Sequence, residues 1–302
     1  MSHLYIGISG WRYAPWRKNF YPKGLIQKKE LFFASRSVCS IEINGSFYAL
    51  QTPARYAGWY KDTPDNFVFS VKAPRYITHI RRLNDVEEPI ANFFASGIFQ
   101  LKEKLGAVLW QFPPSFKFDE DQFTQFLQLL PKTTVEAQKN VRKYHPNFEL
   151  PDDLVKSTRI RHAVEIRNHS FANENFIKLL RRHNVAFVIA DTADRWPYAE
   201  DITSDFVYMR LHGDTELYKS GYSKEAIEHW YKRIKSWSRG AYPKDSKLFS
   251  KRVRLHESLD IFCYFDNTDK LWAPQDARHL SNLLGIDSDL RQPETLLKEA
   301  AR

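Results

Sequence analysis

A cluster of polar residues follows a predicted β-strand in the stretch VKAPRYITH, residues 71–79. Lys72 ends the apolar run that begins FVFS, and the proline two positions later lacks a backbone donor, so the strand is expected to stop there. Arg75, Thr78 and His79 are then expected in the loop that follows. An amine, a guanidinium and an imidazole can bind anions and move protons, so this strand end is a candidate for acid–base chemistry.

Similar strand ends recur along the chain. Side chains alternate between the two faces of a strand, and one parity of each predicted strand is almost wholly apolar, as a face covered by helices requires. The other parity carries residues that could do chemistry near the C-terminal end of the strand. In chain order these residues are Ser9, Trp11, Glu42, Asn44, Lys72, Gln111, Glu165, Arg167, Asp191, Arg210, His212 and Asp266.

Eight apolar runs alternate with amphipathic segments, a pattern typical of parallel βαβ units. The predicted strands span 4–10, 40–47, 67–73, 107–112, 162–167, 186–191, 206–212 and 260–266. Eight such units close a TIM-like (β/α)8 barrel, an α/β fold whose sites lie at the C-terminal mouth. The alternative is an open doubly wound sheet, but neither a G-x-G-x-x-G turn nor a P-loop is present to favour it.

The segments between the strands predict the helices. These are expected over 28–37, 52–63, 88–105, 119–130, 173–183, 223–238 and 273–285. No helix is evident between the sixth and seventh strands. The long connection 113–161 is expected to hold an additional helix, and the whole chain, 1–302, is predicted to form one barrel domain.

Acidic and basic side chains are mixed in this predicted ring. Its carboxylates are those of Glu42, Glu165, Asp191 and Asp266, and its cations are Lys72, Arg167 and Arg210. Because isolated buried charges are very costly, these groups must pair with one another, with a metal or with a ligand. Two interpretations stay open: a self-satisfied salt-bridge network that plugs the barrel, and a site for a polar ligand with anionic groups.

We assign the candidate residues two kinds of role. Proton transfer or electrostatic catalysis is predicted for Lys72, Glu42, Glu165, Asp191 and His79. Substrate binding is predicted for Ser9, Trp11, Arg12, Tyr13, Asn44, Arg75, Thr78, Gln111, Arg167, Arg210, His212 and Asp266. No cofactor is predicted, and no metal ligand is assigned.

Two features favour other functions. The first predicted loop, WRYAPWRKNFYPKG at 11–24, interleaves aromatic and basic residues, which can stack bases and neutralise phosphates. Carboxylates and an imidazole at strand ends can also bind a divalent metal, but the cations of the same ring would repel it. A nucleic-acid or nucleotide-like ligand, and a metal-dependent hydrolase or isomerase, are therefore the alternatives.

Composition bounds the class of protein. The 43% of hydrophobic residues is enough for a folded core, and the net charge of +9 favours anionic partners. No apolar stretch approaches the length needed to span a bilayer, and no signal peptide is evident. Two separated cysteines, Cys39 and Cys263, are interpreted as free thiols. A cytoplasmic location without membrane partners is expected, and the oligomeric state is left open.

An ordered set of motifs resembles the YecE-like family, also called the domain of unknown function 72 family. The motifs are GISGWRYAPW (7–16), SIEINGSFY (40–48), FVFSVKAPRYITH (67–79), LGAVLWQFPPSF (105–116), HAVEIRNHSF (162–171), MRLHG (209–213) and FDNT with APQDA (265–277). The resemblance implies a TIM-like barrel and names no reaction. The family has His and Trp where this chain has Asn168 and Phe171.

The leading hypothesis is a metal-independent enzyme acting on a phosphorylated or otherwise anionic small molecule. In it, Lys72, Glu42 and Glu165 transfer protons or stabilise charge at the barrel mouth. The principal alternative is a non-catalytic binder of nucleic acid or of a nucleotide-like ligand.

Overall fold

Eight parallel strands form a closed barrel in the computed structural model, which describes residues 2–17, 19–154, 157–215, 220–266 and 271–286. Each strand pairs with its neighbours in chain order, and β8 closes the barrel against β1. The strands are β1 (Leu4–Ser9), β2 (Ser40–Ile43), β3 (Val68–Lys72), β4 (Leu105–Gln111), β5 (Arg161–Glu165), β6 (Ala186–Asp191), β7 (Phe206–Leu211) and β8 (Asp260–Phe265). The predicted TIM-like (β/α)8 barrel is confirmed.

The two parities of the strands form two separate apolar layers. The larger layer lies between the barrel and its helices and contains the outward side chains of every strand. The smaller layer fills the barrel axis with side chains that include Ala107, Leu109, Val188, Tyr208 and Phe262. The interior is therefore packed below the mouth, as in other barrels of this size.

Helices cover the outside of the barrel. They are α1 (Glu30–Ala34), α2 (Gly45–Tyr48), α3 (Pro53–Asp62), α4 (Glu87–Ala95), α5 (Glu120–Leu129), α6 (Thr134–Arg142), α7 (Glu174–His183), α8 (Lys224–Trp237) and α9 (Ala273–Leu284). Polar side chains accept a hydrogen bond from the first turn of several of them, as at Thr52, Asp119 and Ser223. The additional helix predicted in the connection 113–161 is α6, and residues 192–205 hold no helix, as expected.

Two predicted elements were wrong in their bounds. Strand β2 stops at Ile43, and residues expected at its end form the short helix α2 instead. The helix expected over 88–105 is broken at Gly97, whose φ is 109°. A Cβ at Gly97 would lie 2.4 Å from Cα of Pro53, so glycine is required for this close approach to α3.

Two further findings concern the chain as a whole. Cys263 is a free, fully buried thiol, and Sγ of Cys39 lies 4.0 Å from the Ile286 carbonyl oxygen. Among the helices of the described residues, none combines the length and the apolar character that crossing a bilayer requires.

Candidate functional site

The Arg210 guanidinium lies at the centre of the barrel mouth and binds three carboxylates. Its Nη2 is 2.9 Å from Oε1 of Glu42 and 2.6 Å from Oδ2 of Asp266, and its Nη1 is 2.6 Å from Oε2 of Glu165. Arg210, Glu42 and Glu165 have at most 1% of their side-chain surface exposed. Buried charges of this kind are stable because each is paired and hydrogen-bonded. The sequence prediction that strand ends converge on one axis holds for these four residues.

Glu42 is surrounded by donors. Its Oε1 accepts from the Ser9 hydroxyl at 2.7 Å, and its Oε2 accepts from the Tyr208 hydroxyl at 2.7 Å and from Nε of Arg210 at 3.1 Å. The Asn44 amide donates in turn to the Ser9 hydroxyl at 2.5 Å. These donors occupy both carboxyl oxygens of Glu42 beside the Arg210 guanidinium.

Glu165 has an equally complete set of partners. Its Oε1 accepts from the Gln111 amide at 2.8 Å and from Nε of Arg167 at 2.9 Å, and its Oε2 accepts from Arg210. Burial alone would raise the pKa of Glu165, but Arg210 and Arg167 outweigh it and lower that pKa well below its usual range. Glu165 therefore stays ionised throughout the physiological range and is a poor general acid.

Arg167 and His212 border the network on its solvent side. The Arg167 guanidinium stacks 3.8 Å from the Trp196 ring centroid, and 14% of its side chain is exposed. Nδ1 of His212 lies 3.4 Å from Oδ2 of Asp266, and burial lowers the pKa of His212. A neutral His212 leaves Asp266 paired mainly with Arg210.

Lys72, the last residue of β3, reaches the same mouth but takes no part in the network. Among the described residues its amine has no hydrogen-bond or ion-pair partner, because Arg210 already binds the nearby carboxylates. Its Nζ lies 4.1 Å from the centroid of the Phe47 ring, and only 8% of the residue is exposed. Lys72 is thus a nearly buried amine without a polar partner in that part of the chain.

The electrostatic setting changes the protonation of Lys72. Its pKa falls from 10.5 to about 7. Burial is the largest cause, the Arg210 guanidinium adds to it, and Glu165 leads the carboxylates that oppose the fall. At neutral pH a large fraction of this amine is therefore unprotonated, as a general base or a nucleophile requires.

A second lysine of low exposure has the polar partners that Lys72 lacks among the described residues. Lys104 is 2% exposed, and its amine donates to the Tyr60 carbonyl at 2.8 Å, the Thr63 carbonyl at 2.9 Å and the Thr63 hydroxyl at 3.3 Å. These acceptors use the three protons of the ammonium. Lys104 has the contacts of a structural lysine, and Lys72 does not.

The segment after β3 surrounds Lys72 with further candidates. It forms a short π-helix, Tyr76–Ile80, in place of the expected loop. The His79 ring packs edge-on against Phe47 at 5.0 Å, and its Nδ1 lies 2.8 Å from the Thr78 hydroxyl. Burial, and then the charges of Lys72, Arg167 and Arg75, lower the pKa of His79 to about 4, so its imidazole is neutral at pH 7.

Three cationic side chains lie near enough to the His79 imidazole to lower its pKa. Lys72, Arg167 and Arg75 all act on it. Arg75 is exposed and has no hydrogen-bond partner among the described residues, and Arg167 is bonded only to Glu165 there. These cations have donors to spare, and an anion near His79 would satisfy them.

Loop one forms a separate cleft beside the network. The cleft has a volume of about 450 Å³, and its lining includes Trp11, Arg12, Tyr13, Asn44 and Arg55. Trp11 was expected to face the barrel axis, but it packs against Trp59 at 5.3 Å in the outer layer. The physical reason is Gly10, whose φ of 79° interrupts the alternation of the strand.

Asp191 lies outside the network, contrary to the predicted ring. The inward parity of β6 belongs to Ala186, Val188 and Ala190, so the final residue of the strand points the other way. Its carboxylate accepts from the Tyr222 hydroxyl at 3.0 Å, and burial raises its pKa to about 6. Strand β6 thus contributes no polar group to the mouth, and Asp191 cannot share a proton with Lys72 there.

Sequence reasoning missed three residues of the site. Tyr208 lies on the inward parity of β7, a position that could have identified it as a partner for Glu42. Phe47 was assigned to a strand, and Trp196 lies in the segment between β6 and β7 for which no helix was predicted. Their roles against Lys72 and Arg167 depend on how separate loops fold over the mouth, which no local pattern records.

Cation binding is not favoured by this arrangement. In the described ranges no three His, Cys, Asp or Glu side chains are grouped so that they could hold a metal ion. Of the four carboxylates in the predicted ring, those of Glu42, Glu165 and Asp266 bind Arg210, and Asp191 lies elsewhere. Fold and site together define a TIM-like barrel whose mouth holds a carboxylate–guanidinium network and, within the described residues, a lysine without a hydrogen-bond or ion-pair partner.

Comparison with known proteins agrees with this description. The family model "Protein of unknown function DUF72" matches residues 5–299, and the chain belongs to this family. UPF0759 protein YunF of Bacillus subtilis is 33% identical over 118 residues, which cover 37% of this chain and 41% of YunF. UPF0759 protein YecE of Escherichia coli K12 is 23% identical over 243 residues, covering 80% of this chain and 84% of YecE.

Solved structures of the family share the fold. A DUF72 family protein of Thermotoga maritima superposes with a TM-score of 0.69 at 24% identity, covering 94% of this chain and 99% of the other. One from Enterococcus faecalis superposes with a TM-score of 0.68 at 18% identity, covering 96% and 98%. At these identities the similarity demonstrates the barrel and leaves the chemistry to the residues of the mouth.

Proposed function

We propose that this chain is a metal-independent enzyme that acts on a small phosphorylated or otherwise anionic molecule by acid–base chemistry at the barrel mouth. Lys72 is the proton-transfer group, and Arg167 and Arg75 bind the anion. The single observation that carries this proposal is the nearly buried Lys72 amine, which lacks a polar partner among the described residues while a second buried lysine has three. A lysine that only stabilised the fold would be expected to have such partners.

The carboxylate–guanidinium network supports the proposal in a positioning role. Glu42 and Glu165 were predicted to act as proton-transfer or electrostatic groups, and both accept several hydrogen bonds and are bound by Arg210. We assign them an electrostatic role: they hold Arg210 beside Lys72, where its charge disfavours the ammonium. His79, neutral and hydrogen-bonded to Thr78, is the second group able to relay a proton.

Exchange of carbon-bound hydrogen for deuterium in small anions tests this proposal. The protein is incubated in deuterated buffer with pyruvate, dihydroxyacetone phosphate and related anions that carry a C–H bond next to a carbonyl group, and loss of the carbon-bound proton signals is followed by proton NMR. Wild type is expected to exchange or convert at least one of them, with a rate that rises through pH 7 as Lys72 loses its proton. Lys72→Met is expected to abolish the reaction, and Lys139→Met, which changes an exposed lysine on α6, is expected to retain it. Full activity in folded Lys72→Met would remove Lys72 from the mechanism.

The cleft beside loop one supports a second candidate, binding of a nucleotide-like ligand or nucleic acid. Arg12 and Arg55 are exposed on it, and Trp59 and Tyr13 offer ring surfaces for stacking. Binding of a fluorescent adenine nucleotide and of a single-stranded RNA, measured by anisotropy, should then weaken steeply with salt and on Arg12→Ala. Absent or salt-independent binding would count against this candidate without affecting the first.

A further inference from the structure

We propose that Lys72 acts as a nucleophile and condenses with the carbonyl group of a small aldehyde, ketone or 2-oxo acid that carries an anionic group. This inference rests on the proposed function, since it takes Lys72 as the reacting group, and it adds the substrate class and a covalent intermediate. The juxtaposition that carries it is an amine without a polar partner among the described residues, an imidazole that packs against the same Phe47 ring, and two cations, Arg167 and Arg75, that act on that imidazole.

The contacts of Lys72 leave its lone pair free to react. The carboxylates that act electrostatically on it, those of Glu42, Glu165 and Asp266, are all hydrogen-bonded to Arg210. None of them holds the amine as an ammonium partner. Phe47 covers one side of the amine at 4.1 Å and offers it no acceptor. With a pKa of about 7, the neutral amine that attack on a carbonyl requires is abundant at neutral pH.

The condensation balances without any redox partner. The nitrogen lone pair of Lys72 attacks the carbonyl carbon, the C=O π pair moves to oxygen, and a proton passes from the nitrogen to that oxygen to give a carbinolamine. The hydroxyl group then leaves as water after protonation, and the nitrogen lone pair forms a C=N bond that keeps the remaining N–H proton as an iminium. These steps need a group that passes a proton from one atom to another. His79 contacts the same Phe47 ring as Lys72, and its neutral imidazole can accept a proton at one ring nitrogen while the other nitrogen releases one.

A protonated imine on Lys72 also stabilises the negative charge that forms when the adjacent carbon loses a proton. Removing a proton next to a carbonyl leaves an enolate, and an iminium formed on Lys72 draws that electron pair onto nitrogen. Small size is required because only 8% of Lys72 is exposed. An anionic group is favoured because Arg167 and Arg75 lie within electrostatic reach of the same imidazole as Lys72.

Reductive methylation tests the reactivity of the amine without knowledge of the substrate. Full-length protein is treated at pH 7 with a limiting amount of formaldehyde and cyanoborohydride, and modified lysines are mapped by peptide mass spectrometry. A pKa near 7 in place of about 10.4 raises the neutral fraction by about three orders of magnitude, so Lys72 is expected to be modified at least about tenfold faster than exposed Lys139. Lys104, which is 2% exposed and hydrogen-bonded, is the internal control and should stay unmodified. A Lys72 that reacts no faster than Lys139 overturns the proposal.

Trapping with carbonyl compounds then identifies the substrate class. Wild type and Lys72→Met are incubated with pyruvate, glyoxylate or dihydroxyacetone phosphate, followed by borohydride. A mass increase of one reduced adduct, mapped to Lys72 and absent from Lys72→Met, is the expected result for at least one compound. If none forms an adduct while wild type still exchanges hydrogen in deuterated buffer, the imine is refuted and Lys72 is a base, which leaves the proposed function intact. If adduct and exchange are both missing, both proposals fail.

Discussion

Replacing each of the two buried lysines with methionine should change stability in opposite directions. Lys72→Met removes an amine whose pKa falls from 10.5 to about 7 on folding, a fall that corresponds to roughly 5 kcal/mol of free energy spent in burying its charge. It breaks no hydrogen bond among the described residues. We therefore expect Lys72→Met to raise the free energy of unfolding at pH 7 by up to roughly 5 kcal/mol.

Lys104→Met removes the same group from a site that satisfies it. The carbonyls of Tyr60 and Thr63 lose a charged donor and stay buried, and each such loss costs about 1–3 kcal/mol. The substitution is expected to lower the free energy of unfolding by about 3 kcal/mol or more. Because both changes are chemically identical, the difference between them isolates the effect of the partners.

The pH dependence of the Lys72 effect has a fixed sign. The folded protein holds this proton less tightly than the unfolded chain, so the cost is complete below about pH 7 and vanishes as the pH rises to 10.5. The advantage of Lys72→Met should thus shrink by roughly 3 kcal/mol between pH 7 and pH 9. Urea unfolding followed by tryptophan fluorescence at both pH values measures it. If Lys72→Met instead lowers the free energy of unfolding about as much as Lys104→Met does, Lys72 is a structural residue and its charge is not costly to bury.

Three other substitutions test separate parts of the description by the same urea assay. Arg210→Met leaves three carboxylates without their shared cation and should destabilise the protein by about 3–5 kcal/mol; a loss under about 1 kcal/mol would contradict the network. Asp191→Asn should stabilise the protein at pH 7 and not at pH 4. Burial raises the pKa of the Asp191 carboxyl to about 6, so the folded state loses stability where this carboxyl is ionised, at pH 7, and not where it is protonated, at pH 4. An equal effect at both pH values would speak against this burial. Gly97→Ala should cost about 2 kcal/mol or more, because its Cβ would meet Pro53 at 2.4 Å with φ at 109°; an unchanged midpoint would show that the chain relaxes there.

Much of the mouth could be predicted because strand alternation is a simple rule. A period of two places Glu42, Lys72, Glu165 and Arg210 on one parity of their strands, and parallel strands bring these ends to one rim. The rule failed where the backbone or the sequence was out of phase. Asp191 lies one residue off the inward parity of its strand, and Trp11 follows a glycine with positive φ.

The bonding within the mouth could not be predicted. Glu42 and Arg210 are separated by 168 residues, and their contact depends on the closed barrel. Sequence left open whether the ring was a self-satisfied network or a ligand site, and the structure contains features of both. Arg210 satisfies the carboxylates, while Lys72 has no polar partner among the described residues. The contrast with Lys104 is likewise invisible in the sequence, since both lysines lie at a junction between a helical segment or loop and a strand.

Direct titration of the Lys72 amine tests most directly whether its pKa is lowered in the folded protein. Protein labelled with carbon-13 at lysine Cε is followed by two-dimensional NMR from pH 5 to pH 11, and the Lys72 signal is assigned as the one missing from Lys72→Met. A single midpoint near pH 7 is expected for the Lys72 signal, and the exposed lysines are expected to titrate near their ordinary pKa of about 10.4. A Lys72 midpoint at or above that ordinary value would show that the amine is protonated at pH 7 and would remove Lys72 as a base or nucleophile.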